Sequence, residues 1–157
     1  MGKKFEFTVR HFGRGKPLEH GNVWKELRIA GVKDDSNHAF VLFADGKPIS
    51  AVVFNNRNNI DYLCSASARA HERTAFRRLA GHSPASEVMR HLYQATRGNQ
   101  YQTQQLTPEA TTHVQFVQAH LAQYGESLTV LNKGPDRTLI TLSAGAKKLL
   151  KPFTKLS

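Results

Sequence analysis

Cysteine occurs once, at position 64, in a chain of 157 residues. A single thiol excludes an internal disulfide framework and any zinc site built from cysteines of one chain. The matching expectation is a reducing, cytoplasmic setting. Long hydrophobic runs are also missing. The two longest, residues 39–44 and 49–54, fall far short of the ~20 apolar residues a membrane span needs, so no membrane association is expected. After Met1 the chain continues Gly2-Lys3-Lys4 and turns amphipathic. Without an apolar signal core, export is not expected. Glu6 also stands where a myristoylation motif on Gly2 requires Ser or Thr. Internal repeats, low-complexity tracts and long runs of one charge are absent too.

Acidic residues are few. Asp and Glu number 12 against 22 Lys and Arg, a formal net charge of +10, with eight histidines besides. Such an excess points to a polyanionic partner, whether DNA, RNA or a phosphate-rich cofactor; a merely solubilising surface is the plainer reading. Apolar residues make up 39% and aromatics 9%. That is enough for a packed interior, and the length fits a single domain over residues 1–157.

What is present sets out the elements. Residues 5–9 alternate apolar and polar and predict a first strand. Gly13-Arg14-Gly15-Lys16-Pro17 predicts a turn, without the spacer of a P-loop. Residues 18–30 predict a helix with Val23, Leu27 and Ala30 on one face, followed by a polar turn over 33–37. Residues 38–43 and 49–54 are apolar runs joined by Asp45-Gly46-Lys47-Pro48, a hairpin signal. After a turn over 55–59, residues 60–65 predict a third consecutive strand. Residues 69–79 read either as a short helix or as an ordered basic loop. Ser83-Pro84 marks a helix start, a capping hydroxyl followed by proline at the first helical position. The stripe Ala85, Val88, Met89, Leu92 and Tyr93 follows at helical spacing and ends near Gly98. Residues 101–106 predict a strand. Thr107-Pro108-Glu109 opens a second helix with the stripe Ala110, Val114, Val117, Leu121 and Tyr124, stopped by Gly125. Residues 128–131 and 139–142 predict a last hairpin around Gly134-Pro135-Asp136, and residues 147–155 a basic amphipathic tail.

The segment from Arg77 to Ser86 concentrates chemistry. The first N–H groups of a helix are unpaired and, with its dipole, attract an anion. Gly81 permits close backbone approach, and Arg77 and Arg78 can reach phosphate. An ordinary capped helix with surface arginines accounts for the same residues. Arg69, Arg73 and Arg77 share one side if this stretch is helical.

The order strand, helix, three strands, helix, strand, helix, two strands resembles the GNAT superfamily of N-acetyltransferases over residues 5–142, leaving residues 143–157 as a basic tail. The resemblance implies an α/β fold with a mixed, mostly antiparallel central sheet flanked by helices, and acetyl-CoA as cofactor. That family's pyrophosphate turn reads Gln or Arg, two residues, Gly, one residue, then Gly or Ala. Arg78-Leu79-Ala80-Gly81-His82-Ser83 follows it with Ser83 in the last place. The resemblance thus implies coenzyme contacts at Arg77, Arg78, Gly81, His82 and Ser83. It implies a base on the third central strand, where Asp61 stands, and a tyrosine acid near the end of the last long helix, for which Tyr124 is the candidate. Residues 61–64 and 83–93 are also similar in pattern to phage-type acyltransferase-like proteins such as the Mom DNA-modification family.

Asp61 has two readings: a base that takes a proton from an attacking amine, or a cap on the Asn-rich turn. Arg69 and Arg73 suit a coenzyme 3′-phosphate, a nucleic-acid backbone or a solvated helix face. Cys64 has no base beside it in sequence and reads as a small buried strand residue. No histidine spacing fits a metal site, and none is expected. The functional expectation is an acyl-CoA-dependent N-acyltransferase acting on an amine of a protein, nucleic-acid-associated or ribonucleoprotein substrate. The alternatives are a non-catalytic nucleic-acid-binding or host-interaction module on the same scaffold and, below it, a small basic ribonuclease-type toxin.

Overall fold

The structure is a computed structural model that describes residues 4–13, 21–28, 38–66 and 68–156. In chain order the elements are β1 (Phe7–Phe12), α1 (Gly21–Glu26), β2 (His38–Ala44), β3 (Lys47–Phe54), β4 (Asn59–Ser65), α2 (Ala70–Ala80), α3 (Pro84–Ala95), β5 (Gln100–Thr103), α4 (Pro108–Ala122), β6 (Leu128–Asn132) and β7 (Thr138–Leu142). The expected turns over 14–17 and 33–37, and both ends of the helix expected over 18–30, lie outside the described residues.

β1 to β4 pair antiparallel in succession because each is a short apolar run closed by a turn. Between β2 and β3, Asp45 and Gly46 alone make the turn, at φ 49° and 79°. Two left-handed residues match the natural twist of a hairpin. Pro48 therefore enters β3 and sits beside a bulge opposite Phe43, where its missing N–H is tolerated. The sheet continues through β5, β7 and β6 to give the order β1-β2-β3-β4-β5-β7-β6. All its pairs are antiparallel except β4 with β5. This is the mixed, mostly antiparallel α/β architecture that the resemblance implies.

Helices cover both faces of the sheet. On one, α2, α3 and α4 bury Phe76, Val88, Leu92, Val114, Val117 and Leu121 against Phe40, Leu42, Val52 and Ile60. On the other, Val23 and Trp24 of α1 and the adjacent Leu27 pack on Phe12, Val41 and Val53. The ambiguous stretch before Ser83 is a true helix, α2, which adds one element to the expected order. Its one buried residue, Phe76, meets the rings of Phe7 and Phe153 edge-on at 5.2 and 6.0 Å. A single anchoring side chain leaves almost no apolar period to read in the sequence.

The basic tail is part of the packing. Ala146 and Leu150 are fully buried in the main core. Glu87, fully buried in α3, accepts hydrogen bonds from the backbone N–H of Phe153 (2.9 Å), the backbone N–H of Thr154 (2.6 Å) and the Thr154 hydroxyl. A buried carboxylate survives only when its lone pairs are filled, and here the tail fills most of them.

Candidate functional site

The parallel pair is where this sheet departs from its own pattern. β4 and β5 pair at two positions only, Asn59 with Gln102 and Ile60 with Thr103. Immediately afterwards β4 bulges. Val53 stands opposite Tyr62 and Phe54 opposite Ile60, which leaves Asp61 as the extra residue. A bulge bends its strand and adds local twist, and the two strands part at this point. The space between them is a cleft of about 640 Å³. Asp61 to Cys64 form one wall, Thr103 to Ala110 the other, and Met89 and His113 lie at the base. The crevice beyond the carboxyl ends of parallel strands is where open α/β sheets hold ligands.

Having lost β5, the β4 backbone turns unpaired edges into the cleft. The Ala66 N–H goes to Ile49 O on the β3 side (2.9 Å). The Ser65 N–H meets the Glu109 carboxylate on the cleft side. Strand alternation then aims the Leu63 N–H into the cleft as well. Glu109 sits in the first turn of α4, behind the Thr107 cap, whose hydroxyl accepts from the Ala110 N–H. Desolvation raises the Glu109 carboxyl above its ordinary range, while Arg73 and the Ser65 N–H pull it back. Burial, reinforced by Glu109, pushes the Cys64 thiol up to about 12. It stays protonated at neutral pH and cannot act as a thiolate. Burial holds His113 down to about 3, helped by Arg90 and His82. Its neutral ring bridges Tyr93 Oη (2.8 Å) and Ser86 Oγ (3.0 Å) and stiffens the base of the cleft.

The residues singled out in the sequence fall into four places. Asp61 is at the bulge and lines the cleft. Arg69 and Arg73 belong to the start of α2, just beyond β4, with Arg69 3.7 Å from Glu26 and Arg73 electrostatically coupled to Glu109. Arg77 and Arg78 lie exposed in the last turn of α2. Gly81 caps that helix at φ 80°, with its N–H on Arg77 O; a left-handed cap is the reason for a glycine here. Ser83 caps α3, accepting from the Ser86 N–H at 3.1 Å. His82 is buried and donates to Glu87 at 2.7 Å. The first turn of α3 thus carries its own buried carboxylate, and none of these five residues lines the cleft. Tyr124 lies exposed past the far end of α4, edge-on to His120 at 5.5 Å. A 15-residue helix, about 22 Å long at 1.5 Å per residue, separates it from Glu109, so Asp61 and Tyr124 are not brought together.

Sequence reasoning passed over Glu109 and His113. The acid in the first turn of α4 was visible, but only as a partner of the helix dipole. Among the described residues, no group of three or more His, Cys, Asp and Glu side chains could hold a metal ion, and no helix is long and apolar enough to cross a membrane.

No protein-family model matches the chain, and no curated protein matches it. Among solved structures, an acyl-CoA N-acyltransferase from Pseudomonas aeruginosa is similar over 90% of this chain and 100% of that chain, at 12% identity and a TM-score of 0.33. So slight a likeness carries no argument.

Proposed function

We propose that the protein is an acyl-CoA-dependent N-acyltransferase that works in the cleft between β4 and β5. The observation that carries this reading is the parting of the parallel β4–β5 pair at the Asp61 bulge. It opens a ligand-sized crevice toward which strand alternation turns the Leu63 N–H. The resemblance of the element order to the GNAT superfamily supports the same reading.

Bound acyl-CoA would supply a thioester, an acyl group already activated toward amines. The chain's own groups have defined tasks around it. The Leu63 N–H is placed to donate to a carbonyl oxygen that gains negative charge. Arg69 and Arg73 meet phosphate at the start of α2. Among the described residues, Asp61, Glu109 and Asp136 line the cleft against one cation, Arg28, within a chain of net charge +10. That field draws in a cationic amine. The amine must lose a proton to attack, and Glu109, whose carboxyl is raised above its ordinary range, accepts it, with Asp61 holding the ammonium beforehand. As the C–N bond forms, the thioester C–S bond would break and the departing sulfur would take up a proton to leave as the free CoA thiol. The basic exterior suits an amine carried on an acidic or nucleic-acid-associated partner.

Release of free CoA thiol from acetyl-CoA in the presence of a panel of amines tests the reading. Amine-dependent release by the purified protein is expected. Its absence with every amine and every acyl-CoA tried would remove the proposal.

A further inference from the structure

A second concavity, of about 620 Å³, lies at the opposite end of the sheet and shares no lining residue with the cleft. Its volume is within the roughly 300–1,000 Å³ of small-molecule sites. The floor is made of rings. His11 stacks on His38 (5.6 Å, 13°), His38 on Phe54 (5.6 Å, 24°) and Phe54 on Phe40 (5.7 Å, 10°). These side chains come from β1, β2 and β3 and share one face because they alternate in register. Phe40 and Phe54 are buried, His11 and His38 are half-buried, and the floor meets the end of α3 at Ala95 to Arg97.

The rim is basic. Arg57, on the β3–β4 turn, and Arg97, after α3, both line the concavity and are exposed, and among the described residues neither side chain has a carboxylate partner. No Asp or Glu lines it among the described residues. The two arginine-bearing loops are tied together. Asn58, in a left-handed conformation at φ 60°, donates its side-chain amide to Arg97 O (2.9 Å) and Gln100 O (3.4 Å). A non-glycine residue held in that conformation is costly and persists only where its surroundings over-determine it. The His38 ring is fixed as well, donating to Asn56 Oδ1 at 2.7 Å.

Half-buried imidazoles beside phenyl rings, and two guanidiniums without a carboxylate partner among the described residues on a braced rim, are the requirements of one ligand class. We infer that this shelf is a binding site for a nucleoside phosphate, with the base against the ring floor and the phosphate between Arg57 and Arg97. Bracing the rim in advance lowers the ordering cost of binding. The site stands independently of the acyltransferase reading, since none of its residues belongs to the cleft.

The test uses the full chain, with calorimetric titration of AMP and of ribose 5-phosphate, and fluorescence anisotropy of a labelled single-stranded DNA decamer. AMP is expected to bind saturably, and ribose 5-phosphate about tenfold or more weakly, because it lacks the base. The double substitution Arg57→Ala/Arg97→Ala is expected to weaken AMP binding by about tenfold or more, two charge-assisted contacts being lost. Lys133→Ala/Lys148→Ala, which removes equal charge elsewhere, should leave it unchanged. A decamer displaced by AMP identifies a nucleotide within a strand as the occupant. A decamer that does not bind, with AMP still bound, identifies the free nucleotide. Equal weakening by both double substitutions, equal binding of ribose 5-phosphate and AMP, or no AMP binding would each overturn the site. Titration of acetyl-CoA into Arg57→Ala/Arg97→Ala keeps the two functional readings apart, because that protein keeps the cleft while losing the shelf that would also take the coenzyme's own adenosine phosphate.

Discussion

Glu109 is the residue on which the proposed chemistry turns. Because the folded protein raises its carboxyl, Glu109 keeps its proton to a higher pH than in the unfolded chain. Activity should therefore rise with pH through a midpoint above the ordinary carboxylate value of about 4.3. Glu109→Gln should lower kcat by about 10²-fold or more, the usual worth of a positioned base, and remove that acid limb. An unaltered pH profile in Glu109→Gln would assign the proton transfer elsewhere. The same raised carboxyl loses folding stability as pH climbs through its titration, so Glu109→Gln should unfold no more readily than the parent at neutral pH. Cys64 makes the opposite prediction. With its thiol pushed up to about 12, iodoacetamide at pH 7.5 should label the native protein slowly, and Cys64→Ala should retain activity. Fast labelling with loss of turnover would show a thiolate that the geometry excludes.

At the scale of elements, α3 and the C-terminal segment form one unit through Glu87. Burial pushes that carboxyl up, but His82, His91, Thr154 and the Phe153 N–H together outweigh it and hold it well below the ordinary range. A lowered carboxyl stabilises the fold above the unfolded carboxylate range, and that contribution fades as pH falls below it. Glu87→Gln should cost about 3 kcal/mol by denaturant unfolding at pH 7, since it leaves several buried donors without a charged acceptor. It should also expose residues 151–156 to carboxypeptidase; an equally protected tail would mean Glu87 does not anchor it. None of this was visible in sequence, where Glu87 lies between stripe residues and reads as surface charge. The elements with local signals were legible: the Asp45-Gly46 hairpin, the Ser83-Pro84 and Thr107-Pro108 helix starts, and the apolar central strands. α2 was not, because Phe76 alone anchors it. Tyr124 was legible as a tyrosine near a helix end, yet α4 carries it away from the cleft. Tyr124→Phe should keep kcat within about twofold, as expected of an exposed residue outside the site; a large loss would return the acid role to it.

For the molecule as a whole, the candidate site depends on what distant segments do to one another. The parallel register of β4 with β5, the bulge that parts them and the reach of Glu109 to Ser65 are long-range events with no local marker. Asp61 could be singled out from its strand, but not its place as the extra residue of a bulge. Charge is also divided in a way composition hides: among the described residues the cleft gathers acids, while the ring-floored shelf carries arginine without acid. The most direct test of the account is calorimetric titration of acetyl-CoA into Arg57→Ala/Arg97→Ala, whose shelf no longer holds the nucleotide part of the coenzyme, and into the same protein carrying Ala110→Trp, which fills the α4 wall of the cleft, with circular dichroism to confirm that both are folded. The account predicts saturable one-to-one binding to the first and none to the folded second. No saturable heat with the first up to about 1 mM ligand, the upper end of ordinary substrate affinities, or equal binding by both proteins, would contradict it.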